Sequence, residues 1–231
     1  MDNLQFDFGE NWKDFSQKAI TKEKIEQSFI AFRELTNGIS LQDKTFIDIG
    51  FGQGLGLLNA ATLGANCFGC DINPKCKEVL DFNKQKFPQL NHLDIPAVIG
   101  SILDNSTIKN IKKYNNEFDI VHSWGVLHHT GKMWEAINNA ASLVKREGYF
   151  IIAIYNRHWS SLSWKFIKWI YNISPNFIRK LMLYIFSGII FIAKFLVTFK
   201  NPLKKERGMS FYYDVVDWVG EIGRASCRER V

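Results

Sequence analysis

Cysteine is scarce in this sequence, with four among 231 residues, and one of them, Cys227, falls in the last eleven positions. Cys67 and Cys70 make a C-x-x-C, but residues three apart on a strand point to opposite faces, and no second pair completes a zinc site. No metal is expected, and Cys67, Cys70 and Cys76 are read as core or helix-surface thiols. The polar start "MDNLQFDFGENWKDF" lacks a charged-then-apolar leader, so a reducing cytoplasm is the expected setting. No lysine stands between Lys44 and Lys75, which excludes a P-loop in the glycine-rich stretch there. No internal repeat or low-complexity tract is present. Acid is short in one region: residues 157–220 hold 10 Lys/Arg against 3 Asp/Glu, net +7, while residues 1–156 are net −2. The basic character therefore lies outside the glycine-rich half, and no nucleic-acid partner is expected.

What is present is an alternation of strand and helix signals. "TFIDIGFGQGLGLL" (45–58) sets Gly50, Gly52, Gly54 and Gly56 behind an apolar run that contains one acid, Asp48. Leu55, Leu58 and Ala61 follow at helical spacing, so the stretch reads as strand, tight turn and helix start. Strands are expected at 44–49, 66–71, 95–100, 118–123 and 149–155, and helices at 53–63, 74–87, 105–114 and 132–145. That order makes a parallel sheet with helices on both faces. Asn73 and Pro74 suit the N-cap and first position of the second helix, and Trp134, Ile137, Ala141 and Val144 form one apolar face of the fourth. Ahead of the sheet, Ile25, Phe29, Phe32 and Leu35 mark an amphipathic helix that Asn37-Gly38 can end. A length near 220 residues suits one α/β domain with an insertion.

The glycine spacing selects among nucleotide loops. A G-x-G-x-x-G register needs glycine at position 55 or 57, where Leu55 and Leu57 stand. What remains, D-x-G-x-G-x-G, resembles the first motif of class I S-adenosylmethionine-dependent methyltransferases. The resemblance covers residues 6–156. It implies a doubly wound, mostly parallel Rossmann-like sheet of order 3-2-1-4-5, two further strands beyond the chain as given, and S-adenosylmethionine as cofactor. It also implies cofactor-binding roles for Gly50, Gly52 and Gly54. Asp71, ending the second strand 21 residues after Gly50, suits the ribose hydroxyls, or caps the next helix. By the same analogy Asp48 orients the glycine loop or the cofactor's amino group, and Ile72 and Ile102 sandwich adenine. Many relatives carry an acid where this chain has Ser101.

"FDIVHSWGVLHHTGKMWEAI" places Ser123 and Trp124 at the end of the fourth strand, facing the methyl. The Asn/Asp-Pro-Pro-aromatic motif and the Pro-Cys nucleophile of nucleic-acid methyltransferases are both missing. "VLHHTG" resembles the small-molecule, quinone-biosynthesis-like group, which implies methyl transfer to a small O, N or C acceptor. The alternatives are a non-catalytic cofactor-binding module and a protein or RNA methyltransferase. His128 and His129 are the candidate catalytic bases, His128 preferred because its neighbour leads to a Thr130 cap; packing at the strand mouth is the competing reading. His122 is expected to be buried in the strand.

The chain then divides into an N-terminal helical lid (1–40), a cofactor-binding core (41–156), a basic and apolar helical segment (157–220) and "EIGRASCRERV" (221–231). The last resembles a translated sequencing adapter and is read as non-native. Within the third part, "LMLYIFSGIIFIAKFLVTF" (181–199) carries a single charge. Lys180, Ser187 and Lys194 recur along one helix face, so 177–199 suits a pocket cap, a helix lying in a membrane surface, or a span.

Overall fold

The computed structural model describes residues 20–154 and 161–199, with Ser16, Asn201, Phe211, Val215, Val216 and Val219 as isolated positions. Expectations for the first fifteen residues, Tyr155, His158, most of the basic flank after Phe199 and the last eleven residues lie outside the described residues.

Helix α1 (Lys22–Leu35) opens where the Thr21 hydroxyl accepts from the Lys24 amide and ends in a turn that Gly38 closes at φ 84°. Then alternate β1 (Thr45–Ile49), α2 (Leu55–Thr62), β2 (Asn66–Asp71), α3 (Lys75–Lys84), β3 (Ala97–Ile99), α4 (Asn105–Tyr114), β4 (Phe118–Trp124), α5 (Met133–Ala141) and β5 (Val144–Ala153). The five strands are parallel in the order β3-β2-β1-β4-β5, the methyltransferase-type order expected. Alternation along β1 explains why the sheet is buried twice. Phe46 joins one cluster with Leu57, Leu58 and Leu80, while Ile47 and Ile49 join another with Val121, Ala136 and Leu143. Cys67 packs on the first face and Cys70 in the second, as the three-residue spacing requires.

Three expectations are corrected. The fourth crossover helix stops at Ala141, and Val144, read as part of its apolar face, instead pairs with Phe118 at the start of β5. The fifth strand begins there and not at 149, because a bulge at Glu147 (φ 65°) separates two stretches of one strand. A side chain at Gly148 would meet the Asp119 carbonyl 2.8 Å away, so the bulge needs glycine. The buried face of α5 is Ala136 and Ala140 rather than Trp134, which is exposed. Thr130 closes the turn at Leu127–His129 by donating to the Leu127 carbonyl, and α5 starts only at Met133.

After β5 come α6 (Ser161–Ile173) and α7 (Asn176–Thr198). Tyr171 and Leu183 form a third buried cluster with Val215 and Val219, sharing no member with the two clusters of the sheet.

Candidate functional site

The carboxyl ends of the parallel strands gather the glycine turn, Asp71, Ser101 and Trp124. Gly50, Gly52 and Gly54 all have positive φ, at 77°, 52° and 78°. Space is a second reason at two of them: a Cβ on Gly50 would collide with Val126, and one on Gly54 with Leu80. Four hydrogen bonds fix the turn. The Gly50 amide donates to the Cys70 carbonyl (2.6 Å), the Gly54 amide to Phe51 (2.8 Å), the Gly52 amide to Asp71 Oδ2 (3.0 Å), and Asn83 Nδ2 to the Gln53 carbonyl (2.9 Å).

Asp71 is thus the hinge between turn and second strand. Its other oxygen accepts from the Asn73 amide (2.9 Å), while Asn73 Oδ1 accepts from the Lys75 amide (3.0 Å) and caps α3. Burial raises the Asp71 carboxyl above the usual range, and the Asn73 and Gly52 amides oppose that rise. Beyond the Asn73 and Gly52 amides and the Cys76 thiol, the carboxylate keeps acceptor capacity, which fits a pair of ribose hydroxyls.

Asp48 lies beneath the turn, where its carboxylate meets His122 Nδ1 at 2.8 Å, both side chains buried. This pair explains the fourth glycine: a Cβ on Gly56 would lie 2.7 Å from Asp48 Oδ2. His122 is stacked between Phe46 (5.7 Å) and Trp124 (6.2 Å, 10° between planes), with Phe32 of α1 at its edge. Burial of His122 was expected from the strand pattern; its partnership with Asp48, like the role of Asn83, was not. Nothing local signals either contact, because Asp48 and His122 are 74 residues apart.

Other candidates are placed less uniformly. Ser123 is fully buried and donates to the Ile49 carbonyl (2.8 Å), a clasp between β4 and β1 that turns its hydroxyl away from the mouth. Trp124 next to it is 45 % exposed. Of the expected adenine walls only Ile72 is open; Ile102 is 4 % exposed inside the second cluster. Ser101 Oγ accepts from the Leu103 amide (3.2 Å). His128 is 3 % exposed, its ring 3.8 Å from that of His129. Among the described residues no three His, Cys, Asp or Glu side chains gather as a metal group. A shallow cavity lined by Ser40, Lys44, Asp119 and Arg146 opens at the amino ends of β1 and β4, the wrong end of the sheet for this chemistry.

The family described as methyltransferase domain matches residues 22–184. Among solved structures, the chain is similar to a protein of Methanococcus maripaludis assigned as an S-adenosyl-L-methionine-dependent methyltransferase. Identity is 18 %, the TM-score 0.51, and 67 % of this chain and 65 % of that one are covered. It is also similar to magnesium protoporphyrin IX methyltransferase of Synechocystis, solved with bound SAH (20 %, TM-score 0.49, 70 % and 73 %). A third similarity is to a chain of the complex between the Haloferax volcanii Trm112 methyltransferase activator and a methyltransferase (17 %, 0.45, 66 % and 60 %). This chain spans less than two thirds of the Methanococcus and Haloferax chains. No curated protein matches it by sequence.

Proposed function

This chain belongs to the methyltransferase domain family, and we propose that it uses S-adenosylmethionine to methylate a small-molecule acceptor at the carboxyl end of β4. The observation that carries this reading is the exposed indole of Trp124 beside the glycine turn, stacked on the buried His122–Asp48 pair. A flat apolar wall held from behind suits a compact, partly apolar acceptor, and the net-negative half of the chain around it disfavours a phosphate backbone.

When bound, the cofactor supplies an electrophilic methyl on a sulfonium. The chain's own part is binding and alignment. Asp71 would accept hydrogen bonds from the ribose hydroxyls, the turn at Gly50, Gly52 and Gly54 would bring bare backbone to the cofactor, and Ile72 would cover the base. Asp48, held by His122, fixes the floor of the turn. Alignment of acceptor and methyl is the larger part of the acceleration, worth up to ~7 to 11 kcal/mol. A hydroxyl acceptor must also lose a proton, and His128 or His129 takes it. Helix α1 serves as a lid through Phe32, whose ring reaches His122.

The test is incubation with radiolabelled cofactor and three fractions of a cell extract: small molecules, protein and RNA. Label in the small-molecule fraction is expected, and label confined to protein or RNA would replace this reading with one of those acceptors. On the acceptor so found, His128→Ala should lower kcat while leaving cofactor affinity unchanged. Equal loss of cofactor binding would make His128 a packing residue.

A further inference from the structure

Helix α7 presents two faces of different fate. Leu183, Met182, Phe186 and Ile190 pack into the third cluster. Roughly opposite, Phe177, Leu181, Ile185, Ile192 and Leu196 are all at least half exposed, and Trp169 and Phe166 of α6 are exposed in the same manner. So large an apolar surface is unusual for a protein that meets only water. The charge around it is of one sign: between Glu147 and Glu206 there is no Asp or Glu, and there are nine Lys and Arg. On a helical wheel, Lys180, Ser187 and Lys194 fall on the border between the packed and the exposed faces, where long cationic side chains can extend to headgroups.

Helix α7, Asn176–Thr198, is long and apolar enough by length and composition to cross a membrane, and a span is disfavoured instead by where its lysines fall. Lys180 and Lys194 enclose an uncharged stretch that runs from 181 to 193. At about 1.5 Å per residue it reaches roughly 20 Å, short of the ~30 Å hydrocarbon core. We infer that α7, flanked by α6, docks this methyltransferase on the surface of an anionic lipid bilayer, lying in the interface with its Leu181–Ile192 face among the acyl chains and its lysines at the headgroups. Charge complementarity selects this occupant: a second copy would set cationic helix against cationic helix, and a neutral bilayer would leave the lysines without counter-charge. Where the protein sits does not depend on which acceptor it methylates.

The experiment uses the full chain with vesicles of phosphatidylcholine alone or with one third phosphatidylglycerol. Flotation is expected with the anionic vesicles at low salt, and release as salt rises, because surface charges are screened over about 10 Å at 0.1 M and less above it. Lys180→Glu with Lys194→Glu should weaken binding at least ~10-fold. Leu181→Gln with Ile192→Gln should also abolish flotation, with the melting temperature of each variant confirming that it folds. As a second readout, brominated lipid should quench tryptophan emission, and Trp169→Phe should remove a large part of that quenching. Three results would overturn the inference: no flotation at either composition, retention that resists high salt and alkaline carbonate (a span), or a concentration-dependent dimer abolished by Leu181→Gln while vesicles are ignored.

Discussion

Phe46, Leu57 and Leu58 in the sheet domain are sealed from solvent, whereas Tyr184, Val197 and Phe199 at the far end of the chain are 83 %, 81 % and 82 % exposed. The residue types are alike, so composition does not separate the two regions. The number of layers does. In the sheet domain a strand such as β1 sends alternate side chains into two helix-covered clusters, so an apolar residue in either register is buried. In α7 apolar residues surround most of the helix, but the third cluster covers one side only. The first region uses hydrophobicity to fold, and the second leaves part of it exposed.

The sharpest way to break this contrast is a pair of substitutions. Leu58→Ala should destabilise the protein by about 2–5 kcal/mol through lost burial and a residual cavity, while Ile192→Gln should stay within about 0.5 kcal/mol. Urea unfolding measures both, and comparable losses would mean that the exposed face of α7 is a core face after all.

A somewhat smaller effect is expected on the cofactor. Asp71→Ala should weaken S-adenosylmethionine binding by about 1.5–3 kcal/mol, the range for hydrogen bonds to a charged group. Lys194→Ala should leave it unchanged, since the hydrogen bonds described at the glycine turn and Asp71 all come from other elements. Calorimetry with both variants sharpens the division of labour, and equal affinity of Asp71→Ala and the unaltered chain would remove Asp71 from the site.

The smallest effect is electrostatic and lies at the amino end of the sheet. Burial opposes ionisation of Asp119, but hydrogen bonds from the Thr45 hydroxyl and amide and from Lys145 outweigh it and hold the carboxyl down at about 2. A carboxyl whose folded value lies below its unfolded one contributes stability at higher pH, and that contribution is lost as pH falls from about 4 through about 2. Discounted for its partial exposure, it is worth about 1 kcal/mol. Asp119→Asn should flatten the pH dependence of unfolding in that window, and an unchanged acid limb would assign the dependence to other carboxyls. Cys70, whose thiol burial pushes up to about 12 with help from Asp71, should resist alkylation in the folded protein at pH 8.

The legible part of this protein is what depends on near neighbours. Period-two runs and glycine placed β1, β2 and β4 to within a residue, and helical spacing placed Leu55, Leu58 and Ala61 on a helix that buries all three. The same reasoning misplaced Val144, because an apolar residue four positions after a helical alanine fits both a helix face and the start of an edge strand. It also treated Ile102 as open, since a strand-end position does not reveal which cluster the side chain enters.

By itself the sequence determined the alternation of strands and helices, the glycine turn behind Asp48 and the acid that ends the second strand, because each is encoded within a few residues by periodicity or backbone freedom. Only the tertiary structure decided why the glycines stand where they do. Gly50 makes room for Val126, Gly54 for Leu80 and Gly56 for the Asp48 carboxylate that His122 holds. Val126, Leu80 and His122 come from elements farther along the chain, and their approach is set by strand order and register, which no local pattern specifies.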